Sequence, residues 1–322
     1  MANKVSFIIL MILLPVLMLL SLSLGYINIP FSDICSYLIQ GEHHHILETV
    51  RLPRMLTAFI VGMLMAVSGL LIQSVTRNPF ASPGILGINS GASLAVMLSI
   101  AFGLSASPIF ALVGALMVAG ILVLAAILPR KPLTIMEITL LGACITAFCA
   151  AITQGLLIVH NQAIEQMIFW MSGSVTQNKL TVLKWVVPLI IAGAVISMLS
   201  ARYLDVFIVG DELMQSLGVN IIALKVAVMT AAALLAAAAV TLAGPIGFIG
   251  LVAPHISKLM FRVNHLKLIP LTALIGATLL LLSDIISRFL LMPRDIPVGI
   301  TTALIGVPVF IYLVINRREV TK

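Results

Sequence analysis

Four arginines, Arg51, Arg54, Arg288 and Arg294, stand at the ends of long apolar runs in a chain that carries few charges of any kind. A guanidinium presents a planar fork of donors that matches a carboxylate, so arginines gathered on one face suit an acidic partner; at a membrane surface they also serve as headgroup contacts. A second constellation is the polar stretch from Arg202 to Asn220, where Asp205, Asp211, Glu212 and Gln215 precede Leu217 and Gly218. Met214 and Leu217 fall three apart on a short helix whose acidic start suits the helix dipole. This stretch reads either as a solvated linker or as a short helix gripped by a partner. In a third pair of stretches, 76–92 and 243–255, prolines and glycines break the apolar pattern beside Asn78, Ser82, Asn89, Ser90 and His255, with Gly244, Gly247 and Gly250 in the second. Non-helical backbone at membrane depth persists only where protein buries it or water fills a cavity. These two stretches are therefore the candidates for lining a pathway.

Other reactive residue types carry less. His43, His44 and His45 are adjacent, whereas metal ligands come at helical or turn spacing, so the run reads as a solvated loop. His160 has no evident partner, and His255 reads as a hydrogen-bonded helix residue. Cys35, Cys144 and Cys149 show neither disulfide nor metal spacing and read as inert packing residues. No metal site or cofactor is expected. Neither a G-x-x-x-x-G-K-[ST] phosphate loop nor a G-x-G-x-x-G fingerprint occurs, so a powered cycle needs a nucleotide site on another chain. Coupling to H⁺ or Na⁺ would need ionisable groups near the bilayer midplane. The spans hold few: Glu137 near an inner end, and Asp284, four residues before Arg288 and placed to pair with it.

The elements that must position these residues are membrane helices. Of 322 residues, 61% are apolar and 9% charged, with a mean hydropathy of +1.21; a soluble chain carries roughly a quarter charged residues. The apolar runs are long and unbroken, which excludes the short alternating segments of a membrane barrel. Ten spans are expected, at about 5–25, 55–75, 86–103, 109–128, 134–158, 181–201, 222–242, 246–261, 269–288 and 298–315. The first lacks a small-residue cleavage site and reads as a retained helix. With both termini cytoplasmic, only Arg51, Arg54, Lys179, Lys184, Arg288 and Arg294 of the 18 basic residues fall outside, which satisfies the positive-inside rule. Trp170 and Trp185 then fall at the outer face, as interfacial anchors would. The basic residues are scattered, so the charge of +7 reflects topology and not nucleic-acid binding. Gly62 with Ala66, and Gly87 with Gly91, recur at helix-packing spacing.

Several stretches together resemble the FecCD-type permeases of iron-siderophore and cobalamin ABC importers: RLPR at 51–54, GMLMAVSGLLIQSVTRNPFASPGILGINSGA at 62–92, WMSGS at 170–174, DELMQSLGV at 211–219, AGPIGFIGLVAPH at 243–255, SDIISR at 283–288 and DIPVGITTALIGVPVF at 295–310. They run in the family's order over nearly the whole chain. The resemblance implies an all-α membrane protein of about ten helices, 1–322 forming one permease domain, like the vitamin B12 importer permease. It implies a multi-pass protein of the bacterial cytoplasmic membrane that works with a second permease, identical or paralogous, with cytoplasmic ATPase subunits and with an extracytoplasmic substrate-binding protein.

By position, Arg51, Arg54 and Arg288 would meet acidic residues of the binding protein. Asp211, Glu212, Ser216, Leu217 and Gly218, within a coupling helix at about 208–219, would sit in a cleft of the ATPase. Asn78, Ser82, Asn89, Ser90, Gly244, Gly247 and Gly250 would line the pathway. Asp295 stands where the family commonly has Glu and is assigned no role; nor is Arg294. The implied cargo is a ferric siderophore, with cobalamin or haem as the alternative, and the chain itself is not an enzyme. Competing readings are an ion-coupled secondary transporter, a metal-ion permease using the histidine run, and a membrane scaffold; none accounts for the series of motifs.

Overall fold

The computed structural model describes residues 2–41, 43–104, 107–127, 135–160, 164–176, 180–207, 214, 218–291 and 295–315. Twelve α-helices lie among them: α1 (Ala2–Ser23), α2 (Phe31–Cys35), α3 (Leu52–Thr76), α4 (Ile88–Ala101), α5 (Pro108–Ile127), α6 (Ile135–Val159), α7 (Ile164–Met171), α8 (Leu180–Phe207), α9 (Ile221–Ala243), α10 (Ile249–Met260), α11 (His265–Phe289) and α12 (Val298–Ile315). A π-helical turn, Leu47–Arg51, leads directly into α3. There is no strand among the described residues. Seven helices are long and apolar enough to cross a membrane, and α4, α10 and α12 are shorter apolar helices. Each of the ten expected spans coincides with one of these, while α2 and α7 lie between spans.

The bundle is organised around α3, which packs against α9, α10 and α11. Apolar side chains gain little by leaving lipid for protein, so close approach and cross-helix hydrogen bonds must hold such helices together. Both are present. A Cβ on Gly62 would lie 2.4 Å from the Gly276 carbonyl oxygen, and one on Gly69 would lie 1.7 Å from that of Gly250, so the backbones of α3, α11 and α10 meet directly. Ser68 Oγ donates to the Ala232 carbonyl at 2.7 Å, joining α3 to α9. The Ser257 and Thr272 hydroxyls meet at 2.6 Å between α10 and α11. Gly91 has the same role between α4 and α5, facing Gly114.

Charged residues segregate to the two ends. One end gathers Arg51, Arg54, Asp284, Arg288 and Asp295. The other gathers Arg77, Asp205, Lys225, Lys258 and His265. With both termini cytoplasmic, the first end is the outer one. The two tryptophans behave differently there: Trp185 is exposed beside Lys184, whose Nζ lies 5.5 Å from its ring, as an anchor would be. Trp170 is instead packed against the apolar core. Cys149 is buried as a packing residue, whereas Cys35 and Cys144 are exposed.

Candidate functional site

At the outer end, three arginines converge on two carboxylates and on backbone carbonyls at the end of α1. Pro53 occupies the first turn of α3, where a helix needs no N–H donor, so the chain enters that helix with Arg51 and Arg54 on either side of the junction. Asp284 is wholly buried one turn before Arg288 on α11. Arg54 Nε donates to Asp284 Oδ1 at 2.9 Å, and Arg54 Nη1 to Asp295 Oδ2 at 2.6 Å. Arg288 donates to the other Asp284 oxygen, to Ser21 O at 2.7 Å, Leu24 O at 2.9 Å and Ser21 Oγ at 2.9 Å. Arg51 donates to Leu24 O and, at 2.9 Å, to Ile27 O.

Arg51, Arg54 and Arg288 come together, as residues sharing one face would, but they are buried, and most of their donors are engaged inside the chain. A buried charge must be paired and hydrogen-bonded, and the orphan carbonyls at a helix C-terminus carry the negative end of its dipole. Three guanidiniums face two carboxylates, and Arg288 Nε is buried with no partner among the described residues. Asp295, given no role from the sequence, is the half-exposed member of the cluster, at 49% of its side chain. Its sequence signal was its place at the head of the stretch DIPVGITTALIGVPVF, where the resembled family commonly has Glu.

Below this cluster lies a recess of about 660 Å³, lined in part by Met171, Ser172, Pro245, Gly247, Phe248 and Leu304. Its wall is built from backbone contacts between the loop after α7, the turn from α9 to α10 and the start of α12. Ser174 N donates to Ala243 O at 2.7 Å, and a Cβ on Gly299 would fall 2.1 Å from Ser172 O. Phe248 adopts φ 65°, a conformation that a side-chain-bearing residue holds only at a cost of about 1–3 kcal/mol. Packing retains it: a Cβ on Gly306 would lie 2.5 Å from that of Phe248.

Of the glycines named as lining residues, Gly247 faces open space in this recess. Gly244 and Gly250 are buried, Gly244 against the Trp170 carbonyl and Gly250 against Met65 O and Pro83, so packing accounts for them. Asn78 is exposed in the turn after α3, its side chain accepting from Phe80 N at 3.0 Å. Ser82 is half-buried nearby, and Asn89 and Ser90 lie half-buried in the first turn of α4, where Asn89 Oδ1 is buried with no partner among the described residues. The sequence reading missed Phe248, Ser172 and Leu304.

At the cytoplasmic end, Asp211, Glu212, Ser216 and Leu217 lie outside the described residues. Their flanks are firmly held. Arg77 donates to Phe207 O at 2.7 Å and stacks 4.4 Å from the Phe207 ring. Asp205 accepts from His265 N at 2.9 Å and meets His265 Nδ1 at 2.6 Å, while His265 Nε2 meets Ser74 Oγ at 2.9 Å. Met214 is fully buried. Gly218 has φ 72° with nothing near its Cβ position. Among the histidines of the outer loop, His43 meets Glu48 at 3.0 Å.

The profile of the FecCD transport family matches residues 12–316. The chain belongs to the FecCD transport family. Members of this family are membrane permeases of ABC importers, which work with ATPase, substrate-binding and second permease subunits. The chain is 37% identical over 319 residues to the hemin transport system permease protein HmuU of Yersinia pestis, covering 96% of this chain and 95% of that one. It is 35% identical over 305 residues to the Fe(3+) dicitrate transport system permease protein FecD of Escherichia coli, covering 93% and 95%. A solved structure of an inward-facing metal-chelate type ABC transporter matches with a TM-score of 0.83 at 31% identity, over 98% of this chain and all of that one. This FecCD-family chain is a multi-pass membrane protein.

Proposed function

We propose that this chain is the permease subunit of a binding-protein-dependent importer for ferric siderophores, working by alternating access. The observation that carries this reading is the family match over 12–316, joined to relatives whose cargoes are iron chelates and hemin. The whole chain acts as one permease domain. It performs no covalent chemistry, and ATP is hydrolysed by a separate subunit that grips the segment from Asp211 to Gly218. The recess beside Gly247 and Phe248 is the chain's share of the pathway, with Asn78, Ser82, Asn89 and Ser90 further along it.

Docking of the binding protein takes place at the outer arginine cluster. Asp295 is half-exposed and holds Arg54, so an acidic residue of the docked protein replaces Asp295 there; the surplus guanidinium of the cluster favours that exchange. Arg51 and Arg288 shape the cluster from within through the end of α1.

The experiment is uptake of a radiolabelled ferric siderophore panel, with haem and cobalamin, into cells lacking this gene and cells with it restored, the proton gradient being collapsed by an uncoupler while ATP is maintained. Restored uptake of a siderophore that survives the uncoupler is the expected outcome. Uptake that falls with the gradient while ATP holds would overturn the ABC reading, and restoration of haem uptake alone would reassign the cargo.

A further inference from the structure

The cytoplasmic end carries two cavities that share a wall. One is a groove of about 650 Å³ between α1 and α11, lined by apolar side chains that include Phe7, Ile8, Leu266, Leu271 and Leu274. The other, of about 790 Å³, lies among the inner ends of α3, α8, α10 and α11, and Arg77, His255, Lys258, Arg262 and His265 line it. Phe261 and Val263, in the corner between α10 and α11, line both. Asp205, the one carboxylate among the described residues lining the second cavity, is bonded to His265. Lys258 Nζ meets the neutral amide oxygen of Gln73, at 3.4 Å, and neither Lys258 nor Arg262 meets a carboxylate among the described residues.

A soluble anion would need only the cationic chamber, and a neutral acyl chain only the groove. A cationic chamber that continues into an apolar groove, at the depth of the cytoplasmic leaflet, has the chemistry of an amphiphile with a negative head. That leaflet is where anionic lipids concentrate, and each basic residue near its surface adds about 1 kcal/mol of attraction. We propose that the corner between α10 and α11 binds an anionic phospholipid of the cytoplasmic leaflet. Lys258 and Arg262 hold the headgroup phosphate, Arg262 through its paired donors, and an acyl chain lies along the groove between α1 and α11. The site is independent of the cargo and of the outer cluster.

The test is native mass spectrometry of the intact transporter complex in detergent, titrated with phosphatidylglycerol or with phosphatidylcholine of the same acyl chains. Retention of phosphatidylglycerol about thirtyfold above phosphatidylcholine is expected, from two basic contacts of that size. Lys258→Gln combined with Arg262→Gln is expected to erase that preference. Leu271→Trp, which fills the groove and leaves every charge in place, is expected to reduce retention of both lipids. Equal retention of the two lipids by the unaltered complex overturns the proposal, as does a preference that survives the double substitution. Undiminished retention in Leu271→Trp overturns it too, and release of phosphatidylglycerol by millimolar inorganic phosphate would mark a soluble-anion site instead.

Discussion

Asp284 holds two arginines at once, Arg54 with one oxygen and Arg288 with the other, from a position with no solvent exposure. Removing one member of a buried ion pair leaves uncompensated charge and costs about 3–5 kcal/mol. Asp284→Ala is therefore expected to lower the thermal denaturation temperature of the detergent-solubilised protein sharply. Asp295→Asn removes only a half-exposed partner and is expected to change stability by less than about 1 kcal/mol, while raising affinity for the binding protein in a pull-down, because Arg54 is freed. Weaker docking by Asp295→Asn would sink the proposed exchange. The arginines were visible in the sequence as cations at span ends, and the pairing of Asp284 with Arg288 was visible as an i, i+4 spacing. The link from Arg54 to Asp284 was not, because 230 residues separate them and two-body pairing across a bundle leaves no local pattern. Nor was the contribution of α1, whose acceptors are main-chain carbonyls that any residue type supplies.

At the scale of elements, the glycines of α3 decide how near its neighbours come. Gly69→Leu places a side chain where the Gly250 carbonyl already lies, and a Cβ alone would sit 1.7 Å from it. Overpacking costs about 1–3 kcal/mol and sometimes more, so this substitution is expected to lower the yield of folded protein in fluorescence-detected size exclusion. Gly120→Leu, on α5 with nothing near its Cβ position, is the matched control and is expected to be tolerated. Gly62 with Ala66 were legible as a packing pair because small residues four apart share one helix face. Their partner Gly276 was not singled out, since a lone glycine in a long apolar run says nothing about which helix faces it. Seven of the spans were legible because hydrophobic length alone defines them, whereas α4, α10 and α12 are shorter apolar helices. Helix α7 escaped notice because eight residues are too few to cross a bilayer and Trp170 suggested an interfacial anchor.

For the molecule as a whole, burial is uneven. The apolar window of α3 is 78% buried inside the chain, and those of α6 and α8 are 17% buried. Large apolar side chains such as Met136, Leu140 and Phe148 on α6 are exposed from the monomer. The periphery thus leaves its apolar surface to lipid or to another subunit, while α3 is enclosed by α9, α10 and α11. In the proposed cycle, force from the cytoplasmic side enters through the segment between Phe207 and Gly218. Gly218 has φ 72° with no described residue near its Cβ position, so a side chain there suffers from backbone conformation, about 1–2 kcal/mol. In the reconstituted complex, Gly218→Val is expected to reduce uptake several-fold while basal ATP hydrolysis persists; unchanged uptake would count against a coupling role for this corner.

The long sequence separation within the outer cluster also dictates an order of events during biosynthesis. Arg54 emerges from the ribosome 230 residues ahead of Asp284. Until α11 is inserted, the nascent permease holds Arg51 and Arg54 at the outer interface with no carboxylate from that helix to receive them. A charged residue exposed to lipid is costly in proportion to its depth, and the half-made chain carries that cost until α11 supplies Asp284 to Arg54. The pair can therefore form only once most of the bundle has been made.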